Sequence, residues 1–253
     1  MIPDFLEKFR QQIEEYRLDT VRILANPIKD GQNLSIKQSK FLGQPYVPKS
    51  QTYPTCQDGT PMLMLAQINF SEVPELENYP TSGILQLFVH PTDWYNMERS
   101  DYKIIFHQSD TEDYHTDFGF ITEKLFEESP IYCEHSLIFQ KETEFGGRED
   151  FRFQIDFGGL DYFDFQETLP KEHQEQMDNL FYIIGHKIGG YAYFTQSDPR
   201  DYDDKTKNDV LLLQIDTDEE IMFGDSGVAN IFINISDLKE RNFDKAYFNW
   251  DCC

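Results

Sequence analysis

Apolar residues recur at helical spacing at the start of the chain and at strand spacing through most of the rest. In "MIPDFLEKFRQQIEEYRL" the side chains of Phe5, Phe9, Ile13 and Tyr16 share one helical face, and Pro3 and Asp4 suit a helix start. Asn26-Pro27 would end it, so a helix is predicted over 4–25. Strand signals dominate afterwards, in "MLMLAQINF", "GILQLFVH", "YKIIFH", "SLIFQKETEF", "RFQIDF", "VLLLQID" and "VANIFINI". A second helix is predicted from about Pro170 to Tyr182, where Leu169, His173, Met177 and Leu180 fall on one face.

The chain also matches itself. "KFLGQPYVPKSQ" from Lys40 aligns with "KIGGYAYFTQSD" from Lys187, an offset of 147 residues, and seven of 31 positions are identical over 40–70. Average composition would give about two. The matches include Lys40/Lys187, Gly43/Gly190, Tyr46/Tyr193, Leu65/Leu212 and Gln67/Gln214. The offset then becomes 144, pairing Ser82/Ser226, Gly83/Gly227 and Phe88/Phe232, and finally 142, pairing Lys103/Lys245 and Phe106/Phe248. The pattern predicts a tandem duplication, with repeat one at about 40–107, an insert over 108–186 and repeat two at about 187–249. The expected fold class is α+β: internally duplicated, mainly antiparallel β units in a single 1–253 domain, with an N-terminal helix and a helix-containing insert. Two such halves would pair about an approximate two-fold axis.

Composition fits a packed core, because hydrophobic residues make up 39% and aromatic residues 15%, with Phe 22 and Tyr 14. Charge changes the functional picture: 46 acidic against 22 basic residues give a formal net charge of -24. Such a surface repels phosphate backbones, so nucleic acid and anionic membranes are not expected partners. It either keeps the protein soluble or steers a basic partner. The N-terminus lacks a basic region followed by an apolar run, and no stretch is apolar enough to span a membrane, so the chain reads as cytoplasmic. Cys56, Cys133, Cys252 and Cys253 form no CxxC pair or disulfide framework. The adjacent Cys252 and Cys253 could bind a soft metal or form a vicinal disulfide, but two lone thiols are the expectation.

The segment "GDSG" at 224–227 carries the letters around the nucleophile of chymotrypsin-like proteases. Its counterpart "PTSG" shares only a Ser-Gly step before an apolar strand, which is a turn signature. None of the six histidines stands in a catalytic context, so Ser226 is read as a turn residue. "HQSDTEDYHTDF", with His107, Asp110, Asp113, His115 and Asp117, matches no standard metal spacing and reads as a solvated loop. "TQSDPRDYDDKTKND" lacks the glycine and glutamate of a calcium loop, although Asp198-Pro199-Arg200 predicts a turn whose arginine is fixed by a carboxylate or binds an anion. Gln67 and Gln214 sit in apolar strands, facing either the interior, where their amides need partners, or the solvent.

Taken together, "KFLGQPYVP", "LAQINFSEVP", "GILQLFV", "GGYAYFTQSDPR", "LLLQIDTD", "FGDSGVANIFI" and "YFNWDC" resemble the YwqG-like family of bacterial proteins, a domain of unknown function. One departure is Ala192, where the family commonly shows proline; repeat one keeps Pro45. The resemblance implies an α+β, duplicated, cytosolic protein and brings no activity, cofactor or catalytic residue with it. It also implies a loose association with toxin and immunity gene neighbourhoods. The leading expectation is a non-enzymatic module binding a basic protein, with no cofactor, metal or catalytic residue. The alternative is a small-molecule binder or hydrolase using a cleft between the repeats near Gln67, Gln214, Asp198, Arg200 and Asp225.

Overall fold

The computed structural model describes residues 2–29 and 32–252. A 3-10 turn at Asp4–Phe9 runs into helix α1 (Arg10–Glu15), and Leu6, Phe9 and Ile13 are buried from it. The helix expected over 4–25 stops there, because Leu18–Pro27 is strand β1. The cause lies in Thr20, Val21 and Ile23, whose β-branched side chains lose rotamer freedom in a helix and pack well on a pleated surface. Val21 and Ile23 enter the main core while Leu24, the next residue along, faces out.

Among the described residues nine further strands follow: β2 (Lys40–Phe41), β3 (Leu63–Asn69), β4 (Ile84–Val89), β5 (Tyr102–His107), β6 (His135–Glu144), β7 (Lys187–Gly189), β8 (Asp209–Ile215), β9 (Val228–Asn234) and β10 (Tyr247–Asp251). Helices α2 (Tyr162–Glu167) and α3 (Lys171–Phe181) lie in the insert, and α4 (Ile235–Glu240) follows β9. Helix α3 lies where it was predicted, with Met177 and Phe181 buried. The expected strand "RFQIDF" does not form. That segment is irregular, and Phe153, Ile155 and Phe157 pack instead with α1, α2 and α3 in a separate aromatic core.

All the described strand pairings are antiparallel, in one sheet of order β10-β9-β8-β7-β1-β6-β2-β3-β4-β5. The central pair β1 and β6 runs in register from Leu18↔Glu144 to Pro27↔His135. A half of four strands flanks it on each side. Both halves carry the same irregularity, a bulge at Leu65 in β3 and at Leu212 in β8, 147 residues apart. Gln67 pairs with Gln86 as Gln214 pairs with Asn230, and Phe88 pairs with Lys103 as Phe232 pairs with Tyr247. The offset of 144 therefore holds through the last strand. The slip to 142 read from Lys103/Lys245 is corrected: Lys103 occupies the register position of Tyr247.

The inner faces of the halves meet in one core, where Phe106 of β5 stacks on Phe243 at 4.1 Å and Tyr102 approaches Phe248 of β10 at 5.8 Å. The sheet thus curls until its two edges approach. The outer faces are covered by loops, with Met62, Met64 and Phe88 buried on one side and Phe194, Leu211 and Phe232 on the other. Each fully buried Phe contributes about 1.5–3 kcal/mol. The β3–β4 loop of the first half is clamped onto the second: Tyr79 Oη donates to the Leu211 carbonyl at 2.5 Å, and Arg241 donates to the carbonyls of Asn78 at 2.6 Å and Tyr79 at 3.1 Å. No helix among the described residues is long and apolar enough to cross a membrane.

Candidate functional site

Asp198-Pro199-Arg200 forms the turn its sequence predicts. Proline starts a short 3-10 turn at Pro199–Asp201, and Asp198 Oδ1 accepts the Arg200 N–H at 3.0 Å. The Arg200 side chain turns inward and is fully buried. Its Nε donates to Asp198 Oδ1 at 2.9 Å, Nη2 to Asp198 Oδ2 at 2.6 Å and Asp150 Oδ2 at 2.8 Å, and Nη1 to the Asp209 carbonyl at 2.9 Å. The guanidinium lies over the ring of Phe232 at 4.6 Å. Burial works against its charge, yet Asp150 and Asp198 overcome this and hold it protonated, above its ordinary pKa.

Asp150 joins this arginine to a second one. Arg152 grips it with two donors, Nε to Oδ1 and Nη2 to Oδ2, both at 2.7 Å. Burial alone would raise the Asp150 pKa; the Arg152 hydrogen bond and the charges of Arg200 and Arg152 prevail and hold it at about 2. Arg152 also lies over the Tyr191 ring at 4.6 Å.

Arg152 is partly exposed because it lines a cleft of about 310 Å³ where the two halves and the insert meet. Arg17, Asp19, Glu77, Tyr79 and Gly190 line it with Arg152. Gly190 is required there: its φ is +76°, and a Cβ would collide with the Glu144 carboxylate. That carboxylate pairs with buried Lys187 at 2.7 Å and accepts the Tyr191 N–H at 2.8 Å. Asp19 is paired with Lys141 at 3.0 Å. Its polar side chains, Arg17, Asp19, Glu77, Tyr79 and Arg152 among them, can form hydrogen bonds and ion pairs with a polar molecule.

The five sequence-predicted site residues fall in four places. Asp198 and Arg200 stand together, behind the cleft and linked to it through Asp150 and Arg152. Gln67 is buried on the outer face of the first half, where Oε1 accepts from Tyr46 N at 2.8 Å and Gln86 Nε2 at 2.7 Å, and Nε2 donates to the carbonyls of Ile36 at 2.7 Å and Gln38 at 2.8 Å. Gln214 is buried on the outer face of the second half, accepting from Tyr193 N and donating to the Gly185 carbonyl, both at 2.8 Å. Each glutamine braces the loop that covers its own half. Asp225 is exposed in the turn closed by the Gly227 N–H and the Phe223 carbonyl at 2.8 Å, with Ser226 left-handed at φ 57°.

In the segment 107–117, Lys37 pairs with Asp110 at 2.7 Å and Lys49 with Asp113 at 2.7 Å, while His107 is buried. Among the described residues no group of three or more His, Cys, Asp or Glu side chains could hold a metal. Cys56, Cys133 and Cys252 are free thiols, and Cys253 lies outside the described residues. The composition of the cleft itself was not foreseen. Lys187 could have been found through its match with Lys40, but nothing local in "GGREDFRF" marks Asp150 and Arg152 as network residues.

Burial removes Lys40, Lys187 and Arg200 from the surface together with Glu144, Asp150, Asp198, Asp209 and Asp216. Nearly all of the -24 charge therefore faces solvent. Large side chains stand out among these acids, including Tyr202 at 77%, Tyr132 at 59% and Phe163 at 55% exposure.

A comparison with curated proteins found no match. The model of one protein family matches residues 39–252, which takes in both halves and the insert between them, and so the chain belongs to the family described as "Domain of unknown function (DUF1963)".

Proposed function

We propose that this chain is a non-enzymatic binding module that engages a basic protein through its acidic surface. The observation that carries the reading is the segregation of charge: the buried ionic network is nearly neutral, so the acidic excess is left on the outside, interspersed with exposed Tyr and Phe. An immunity or regulatory role, a cytosolic bacterial setting and kinship with YwqG-like proteins belong to the same proposal. So does origin by tandem duplication, which the repeated bulge and the paired glutamine braces support. Affinity capture from a native lysate at low and at high salt tests it. The expected result is a protein of high pI that is released by salt; recovery of no such partner refutes the reading.

The cleft favours a second reading, a small polar ligand held between the halves. Its support is Arg152, locked by Asp150 yet partly exposed to the cleft. Screening small carboxylates and phosphates by thermal shift, with Arg152→Gln as control, tests it. A shift seen equally in the variant refutes binding at Arg152.

A further inference from the structure

The two halves place different residues at one buried register position. On the outer face of the first half, Gln86 Nε2 donates to the Tyr46 carbonyl at 2.8 Å, and its Oε1 is 3.0 Å from His107 Nε2. Burial keeps that imidazole neutral by pushing its pKa down to about 4, so its N–H donates to the amide oxygen. On the second half Asn230 takes the place of Gln86, and its Nδ2 donates in the same way to the Tyr193 carbonyl at 3.0 Å. His107 pairs with Ile84 as Asp251 pairs with Val228, so the register position of His107 is held by Asp251.

Both replacements are shorter, and an N–H donor becomes a carboxylate. Asn230 and Asp251 are diagonal neighbours across β9 and β10 on one face of the sheet. Among the described residues, no donor reaches Asn230 Oδ1 or Asp251 Oδ1, although both atoms are buried and Asn230 has no exposure at all. Asp251 Oδ2 is already bound by the Thr195 N–H at 2.8 Å, the Gln196 N–H at 2.7 Å and the Thr195 hydroxyl at 3.1 Å. Buried Asp216, just past the end of β8, has its oxygens taken up by the Gly185 and Thr217 N–H groups. A cation would satisfy both acceptors and also answer the carboxylate charge of Asp251, which a water does not.

We propose that Asn230 Oδ1 and Asp251 Oδ1 bind a hard, oxygen-seeking cation beneath the β7–β8 loop, with Ca²⁺ or Na⁺ as the occupant. Amide and carboxylate oxygens are the ligands such ions take, and water completes the shell. The ion would pin Thr195 and Gln196 to the end of β10 through Asp251.

The test uses the full chain, comparing thermal unfolding in millimolar CaCl₂ and in NaCl with tetramethylammonium chloride at matched ionic strength. A chain this acidic gains stability from any salt, so the readout is the difference between the protein and its variants. Asp251→Asn should lose the Ca²⁺- or Na⁺-specific rise in Tm. The double variant Asn230→Gln with Asp251→His restores the arrangement of the first half; it should fold without that cation response. Tb³⁺ luminescence excited through Trp250 should likewise fall at least several-fold in both variants. The proposal is overturned if the cation response and Tb³⁺ signal are the same in the protein and the double variant, or if Ca²⁺ and Na⁺ do no more than tetramethylammonium.

Discussion

Replacing Arg200 with methionine keeps most of the volume and removes the charge at the centre of the buried network. Asp198 then loses two guanidinium hydrogen bonds, Asp150 loses one, and the Asp209 carbonyl loses its donor. Breaking a buried ion pair from one side costs ~3–5 kcal/mol, because the partner charge stays behind unpaired. At 2–4 °C per kcal/mol for a chain of this size, Tm should fall by roughly 6–20 °C. The double variant Arg200→Met with Asp198→Asn should recover about 1 kcal/mol or more, since one stranded carboxylate is gone. A pH arm checks the electrostatic cause. The folded pKa of Asp150 is about 2, below its unfolded value of ~3.9. Its contribution is therefore present above about pH 4 and lost as pH falls through 2, and it amounts to about 2.6 kcal/mol in the parent. That acid-induced loss should shrink in Arg200→Met. Denaturation by urea at pH 7, 4 and 2.5 measures all of this. A variant within about 1 kcal/mol of the parent, with an unchanged acid limb, would refute the reasoning.

Gln67→Leu should cost about 3 kcal/mol and Gln214→Leu about 2, because four hydrogen bonds are lost in the first and two in the second; chemical denaturation checks the order. Burial lowers the Lys40 pKa to about 8, against the opposing pull of Glu134 and Glu72. The unfolded chain then binds more protons between pH 8 and ~10.4, so stability should rise across that window. Lys40→Met should reduce the rise in a pH series of urea melts, leaving the part due to buried Lys187, whose pKa burial also lowers. Ser226→Gly should leave stability unchanged or raise it by up to ~1 kcal/mol, while Ser226→Val should cost ~1–2, given the left-handed backbone at that site. Asp225→Ala should be neutral in the same melts, its side chain being exposed.

Periodicity found seven strand segments, and six of them are strands. The seventh, "RFQIDF", alternates apolar and polar residues as an edge strand would, but its rings pack against helices. Strand β1 was hidden because its apolar residues continue the helical rhythm of Phe5 to Tyr16; the β-branched Thr20, Val21 and Ile23 favour a strand, and the partner that completes it, β6, lies more than 100 residues away. Strands β2 and β7 are too short for a periodic signal. Self-comparison located the paired glutamines yet not their orientation: period two allowed either face, and the loops that bury them fold back from 30 residues away. Asp198 and Arg200 were legible as a turn, whereas their tie to Asp150 and Arg152 spans about 50 residues and leaves no local trace.

The β1–β6 pair also bears on how the chain reaches its fold during synthesis. The middle of the sheet is assembled from residues 18–27, 135–144 and 187–189, and none of these segments is adjacent in sequence to its partner. A nascent chain that has emerged only through β5 would display β2 to β5 without the strand that borders them. Closing such long loops before any contact rewards them makes folding slow. The unjoined hairpins would meanwhile offer bare edges to other chains, a vulnerability during translation that the finished, curled sheet no longer carries.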